Sequence, residues 1–202
     1  MPTARFITFA AAAIALAAVP TIAQMPGTAD ASRVTAGTYK VDNNHTQVVW
    51  TVNHLGITPL TGAFGSSGGT LVLDPAKPAT AKVEVTFNIA EMSTTSAAFT
   101  KHLSSADFFD VAKFPTASFT STSVQVSGET ARITGNLTIK GVTKPVTLDA
   151  KFFGAGTNPM SKKANLGFTA KASIKRSDFG LGYAVPAIAD EIDLMIHAAF
   201  TA

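Results

Sequence analysis

Arg132-Ile133-Thr134-Gly135-Asn136-Leu137-Thr138-Ile139-Lys140-Gly141-Val142-Thr143-Lys144-Pro145-Val146-Thr147-Leu148-Asp149-Ala150-Lys151-Phe152 is the stretch from which the fold can be read. Ile133, Gly135, Leu137 and Ile139 alternate with Arg132, Thr134, Asn136, Thr138 and Lys140, and Val146, Leu148, Ala150 and Phe152 repeat the rhythm. A period of two puts one set of side chains on each face of a strand, here one apolar and one polar. Lys140-Gly141-Val142-Thr143 is a short, glycine-bearing connection, so the two strands form an antiparallel pair.

The same alternation extends in both directions. Val48, Trp50, Val52 and His54 share a face, as do Val83, Val85, Phe87 and Ile89. A strand over Ala117 to Val126 carries Phe119, and later ones carry Leu166, Phe168, Ala170, Ala172 and Ile174, then Ile192, Leu194, Ile196, Ala198 and Phe200. Gly65-Ser66-Ser67-Gly68-Gly69, Asp74-Pro75 and Ser127-Gly128-Glu129 read as turns between them. One segment departs. Thr95 to Asp110 spaces Ala98, Phe99, His102, Leu103, Ala106 and Phe109 by threes and fours, which predicts a short amphipathic helix ended by Phe114-Pro115.

About eight long antiparallel strands with short connections predict an all-β chain, a closed barrel or a two-sheet sandwich; the length of the strands favours the barrel, which leaves no sheet edge exposed. One Trp and two Tyr cannot furnish the aromatic girdles of an outer-membrane barrel.

Composition narrows the chemistry. Hydrophobic residues make up 46% of the 202, enough for one sizeable core and too many for a disordered chain. The absence of Cys excludes disulfides, iron–sulfur clusters, cysteine nucleophiles and Cys-based zinc sites. A net charge of +3, spread along the chain, is no footprint for nucleic acid, so no nucleic-acid partner is expected. Residues 1–23 have the form of a secretory signal: Arg5, then the uncharged run Phe6 to Val19, then Pro20-Thr21-Ile22-Ala23. Export to a bacterial periplasm is the expectation. Residues 24–37 lack periodicity and read as a flexible leader, which leaves 38–202 as the barrel domain.

The inward faces mix bulky residues with small ones: Trp50, Phe87, Phe119, Phe152, Phe168 and Phe200 against Gly135, Ala150, Ala170, Ala172 and Ala198. Such a mixture either interlocks into a filled core or leaves a tunnel for an apolar guest, and alternation alone does not choose between them. The polar candidates are few. His45, His54, His102 and His197 lack the spacing of a zinc site, and His197 takes the outward register. His54 shares the apolar face of its strand, and His102 lies on the inner side of the predicted helix. Arg176 either pairs with Asp178 inside a tight turn or offers a cation at the rim. No nucleophile elbow, phosphate loop or dinucleotide fingerprint is present, and no catalytic residue or metal site is assigned.

Beyond periodicity, the chain resembles the YceI-like family over Tyr39 to Phe200. The resemblance rests on Tyr39-Lys40-Val41-Asp42-Asn43-Asn44-His45-Thr46, Val52-Asn53-His54-Leu55-Gly56 and Thr61-Gly62-Ala63-Phe64. It continues through Lys101-His102-Leu103-Ser104-Ser105-Ala106-Asp107-Phe108-Phe109-Asp110, Lys113-Phe114-Pro115 and Ser118-Phe119-Thr120-Ser121-Thr122. Gly135 to Val146, Lys175-Arg176-Ser177-Asp178-Phe179-Gly180 and Ala189-Asp190-Glu191-Ile192 complete it. Gly154 to Ala164 matches little, and Thr46 stands where the family usually has Ser, keeping the hydroxyl.

This resemblance implies an exported, lipocalin-like barrel that holds a polyisoprenoid chain, an isoprenoid quinone or a prenyl phosphate. The tail would lie against Trp50, Val52, Phe64, Val85, Phe87, Phe119, Leu137, Leu148, Phe168, Leu194 and Phe200, with His54, His102 and Arg176 at the rim. The lipid is the expected ligand, and no other cofactor is expected. Two further readings accompany it: an enzyme using His54 or His102 as acid or base on the bound lipid, and an accessory protein docking a membrane b-type cytochrome, as the resemblance implies for some relatives. The expected state is a monomer or homodimer.

Overall fold

The computed structural model describes residues 25–202; the signal-peptide reading of 1–23 lies outside them. Ten strands follow in chain order: β1 Gly27–Thr28, β2 Gly37–Val41, β3 Gln47–His54, β4 Thr58–Leu73, β5 Lys82–Ser93, β6 Thr116–Ser127, β7 Thr130–Ile139, β8 Val142–Thr157, β9 Ala164–Lys175 and β10 Ile188–Thr201. One helix, α1 (Ala97–Leu103), lies between β5 and β6. From β4 to β10 each strand pairs antiparallel with the next. The ring closes because β2 and β3 both lie between β4 and β10. Those two run in the same direction and together make one stave, broken at Asp42–Thr46. The result is an all-β, eight-stave closed antiparallel barrel of lipocalin type.

The break in the first stave is stitched by a side chain. Thr46 is 2% exposed, its hydroxyl donates to the Ala199 carbonyl (3.1 Å) and accepts from the Ala199 amide (2.9 Å), and the Asp42 amide donates to the same carbonyl (2.8 Å). A hydroxyl at this position replaces the ladder bonds that the interrupted strand leaves unmade, which explains why Thr serves as well as Ser.

Three expectations need correction. Gly65 to Gly69 is no turn: it lies inside the 16-residue β4, where the register slips between Ala63 and Gly65 and again between Ser66 and Gly68. Glycine in a long barrel strand serves a bulge and a bend as readily as a turn, and at Gly69 (φ +144°) a Cβ would press on the backbone of Glu84 and Val85. The helix is seven residues, not sixteen. Ser104 ends it with its hydroxyl on the Thr100 carbonyl (2.8 Å), and Asp110 takes a positive φ in the turns beyond.

The leader, finally, carries structure. Gly27 and Thr28 pair with Gly156 and Ala155 of β8, Ala31–Arg33 forms a 3-10 turn capped by Asp30, and the buried Tyr39 hydroxyl donates to the Thr35 carbonyl (2.7 Å). These contacts involve residues far off in sequence or a single cap, so no local periodicity announces them.

Candidate functional site

Inward side chains of neighbouring strands meet in rows across the ring. In one row Phe64 lies opposite Val48, Val48 opposite Ile196, Ile196 opposite Ala170, Ala170 opposite Ala150 and Ala150 opposite Ala131. Three alanines on adjacent strands thin the wall at one level. Elsewhere bulky rings are held flat. The Trp50 indole lies over Gly62, its cross-strand partner, and Phe119 lies over Gly135; at either glycine a Cβ would collide with the ring. Small residues and flattened rings together leave a lumen of about 640 Å³. This volume is within the usual range for a ligand site, and the interior is a tunnel rather than an interlocked core.

All fourteen residues singled out in the sequence stand on the wall of this cavity. Trp50, Val52, Phe64, Val85, Phe87 and Phe119 line it from β3 to β6. Leu137, Leu148, Phe168, Leu194 and Phe200 line it from β7 to β10. Phe152, Phe168 and Phe200 form an edge-to-face chain, with centroids 5.7 and 6.0 Å apart. His54, at the end of β3, and His102, at the end of α1, stand at the rim that carries the helix.

Arg176 reaches the wall too, yet its guanidinium is engaged elsewhere. It is 6% exposed, and it donates from Nε to the Ala189 carbonyl (2.9 Å), from Nη2 to that of Ile188 (3.0 Å) and from Nη1 to those of Leu181 and Tyr183 (2.8 Å for the latter). Burial lowers its pKa from the ordinary value, with Asp190 opposing that shift. Asp190, not Asp178, is the carboxylate of this corner. It accepts from the Ser177 hydroxyl (2.7 Å) and amide (2.9 Å), and those two bonds hold its pKa below the usual carboxylate range. The expected Arg176–Asp178 pair is thus replaced by a cation that ties two carbonyls of the loop before β10 to two at the start of that strand. A buried guanidinium with four of its five donors on backbone carbonyls is a structural clasp.

Other wall residues escaped the sequence reading. Phe99 and Leu103 face inward from α1, and Phe108 and Phe109 enter from the turns after it, positioned by bonds from the Phe108 amide to the Ser105 carbonyl and from the Phe109 amide to that of Leu103 (each 3.1 Å). The three-and-four spacing of Phe99 and Leu103 was the available signal. Leu181 and Tyr183 come from an irregular loop that has no period to detect. His102, Phe108 and Tyr183 form a ring cluster at the rim, with centroid separations of 4.9, 5.2 and 6.0 Å. Among the described residues no three His, Asp or Glu side chains gather as a metal site.

Such an architecture, a closed meander around an apolar lumen with one end screened by a short helix, defines a barrel of the lipocalin-like class. The YceI-like domain model matches residues 39–200, and the chain belongs to that family. It is 44% identical over 168 residues to protein YceI of Escherichia coli O157:H7, covering 82% of this chain and 87% of the relative. Among solved structures it is similar to BcnA of Burkholderia cenocepacia (26% identity, TM-score 0.68, 79% of this chain and 98% of the other). It also shares its fold with a polyisoprenoid-binding domain from Saccharophagus degradans (13% identity, TM-score 0.58, 81% and 98% covered).

Proposed function

We propose that this chain binds and carries a long-chain polyisoprenoid lipid in its lumen, acting as a binding protein rather than an enzyme. The observation that carries the reading is the cavity itself: a space of about 640 Å³ running between both rims and walled almost entirely by aliphatic and aromatic side chains. Membership of the YceI-like family and the shared fold of a polyisoprenoid-binding domain support it. Each methylene moved from water into such a wall contributes ~0.8 kcal/mol, so a slender hydrocarbon needs few polar contacts. Much of that sum is offset by the cost of ordering the flexible chain, so affinity rises with tail length less steeply than area suggests. The periplasm is the proposed site of action, resting on the signal-like residues 1–23.

The test is organic extraction of the protein purified from cells, followed by mass spectrometry. The expected result is a prenyl lipid at near one copy per chain; recovery of none, from protein shown to be folded, rejects the reading.

A further inference from the structure

The β8–β9 hairpin carries side chains that neither the fold nor the lumen uses. Its turn is tightly built: the Asn158 carboxamide oxygen accepts from the amides of Met160 (2.9 Å) and Ser161 (3.1 Å), and the Lys162 amide donates to the Asn158 carbonyl (2.9 Å). That frame presents Met160 to water, 91% exposed. Phe153 on β8 is 72% exposed, and Met25, just ahead of the β1 strand that pairs with β8, is 81% exposed. A single apolar side chain on a surface is ordinary; three gathered around one hairpin are not.

Charge indicates which partner they suit. From Ala150 to Ser177 the chain has Lys151, Lys162, Lys163, Lys171, Lys175 and Arg176 and not one acidic residue. Lys151, Lys162 and Lys163 are exposed on the hairpin, and among the described residues no ion pair engages them. Of the acids nearby, Asp149 is paired with Arg132 (3.5 Å) and Asp30 accepts from the Ser32 hydroxyl (2.6 Å). Glu129 adjoins Lys151, since the Phe152 amide donates to its carbonyl (2.8 Å), and offsets that one lysine. Facing the start of β9, Gly156 and Thr157 of β8 are uncharged, so Lys162 and Lys163 keep their charge unopposed.

Apolar tips flanked by unpaired ammonium groups match the interface of an anionic bilayer. Such an interface takes methionine and phenylalanine at the acyl boundary and lysines among the phosphates above it. A protein partner needs a broad, shape-matched face, which a narrow turn with long, rotatable side chains does not provide. Ala31, Val34 and Lys151 line the cavity at this same end, so docking here brings the lumen close to the membrane.

We propose that the β8–β9 hairpin is a docking foot for an anionic phospholipid bilayer, with Met160 and Phe153 at the acyl boundary and Lys151, Lys162 and Lys163 on the phosphates. Gly154 to Ala164 is the stretch that matches the family least, so the foot belongs to this chain. Docking needs no guest in the lumen, and its failure leaves the carrier reading standing.

The experiment is flotation of the purified protein with vesicles of phosphatidylcholine alone and of phosphatidylcholine mixed equally with phosphatidylglycerol. Binding to the mixed vesicles is expected to exceed binding to the neutral ones by about tenfold or more, and to fall as salt is raised. Lys162→Gln with Lys163→Gln is expected to remove most of that excess. Lys101→Gln with Lys175→Gln, the same change of charge at the α1 rim, is expected to leave it. Met160→Trp, at the exposed tip, is expected to emit at shorter wavelength when mixed vesicles are added. Equal binding to both vesicles, or binding to neither, overturns the bilayer as partner, as does capture of an acidic protein in place of vesicles. Equal loss in the two double variants overturns the hairpin as the site. Unchanged Met160→Trp emission with the protein bound overturns entry of the tip.

Discussion

Arg176 fastens the loop before β10 to the strand itself by chemistry that no other side chain supplies. Its planar fork reaches the carbonyls of Leu181 and Tyr183, in an irregular loop, and those of Ile188 and Ala189, at the start of β10. Replacing it by methionine keeps the apolar stem and strands the carbonyls. Arg176→Met is therefore expected to cost about 3 kcal/mol or more, read as a lower urea midpoint at unchanged slope. Lysine should recover little of it, since an ammonium is a point donor and cannot fork across four acceptors. The residue was legible in the sequence as important and misread as to role. Lys175 to Gly180 marks a tight turn with a cation in it, but which oxygens surround that cation depends on β10 and the loop before it, remote from any local pattern.

At the scale of elements, the pairing of β3 with β4 shows how a strand can carry a large ring without blocking the tunnel. Trp50 faces Gly62, and the indole occupies the place a Cβ would take there; the Ser93 carbonyl stands 2.9 Å from the same position. Gly62→Val would lift the ring off the wall and toward the lumen. The expected outcome is a loss of about 1–3 kcal/mol in stability, together with less co-purifying lipid; calorimetry and extraction of the same preparation check both. Loss of stability with full lipid content would show that the ring leaves the lumen clear.

The strands themselves were plain from alternation, because the pleat forces a period of two wherever one face is apolar. Less visible was the interior of β4, where glycines that read as a turn instead bend a continuous strand. Composition is the same for a bulge and a turn; only the pairing with β5 tells them apart. The helix shows the converse limit. Its apolar spacing extends to Phe109, yet hydrogen bonding ends it at Leu103, and Phe108 and Phe109 reach the cavity through turns that mimic the helical spacing.

Across the whole molecule, the lumen exists because closure aligns small residues from strands distant in sequence. Ala131, Ala150 and Ala170 come from three different strands and stand in one row only through the register of β7, β8 and β9. A bulky side chain at the middle of that row has room to enter. Ala150→Phe is expected to leave the melting temperature unchanged or raised in the delipidated protein, while lipid recovered by extraction falls sharply, because the ring takes the space the tail would occupy. Overpacking a filled core would instead cost about 1–3 kcal/mol, so a marked loss of stability would show that the space is not there.

Much of this protein is written locally. Alternating faces, hairpin turns at Lys140-Gly141 and Gly128-Glu129, and the helical excursion between β5 and β6 each follow from a handful of neighbouring residues. Inward orientation follows from burial of the apolar face, which is why alternating residues such as Trp50, Val52, Val85, Phe87, Leu137 and Leu148 stand on the wall. Tertiary structure alone decided the rest: that the interior is hollow, that Arg176 is a clasp, that the leader pairs with β8, and that three rings from α1, its following turns and a distant loop meet at one rim. The reason is physical. A strand's period sets which side a residue faces, whereas free space, filled donors and ring clusters depend on cross-strand register and loop placement, quantities that arise only when the sheet closes on itself.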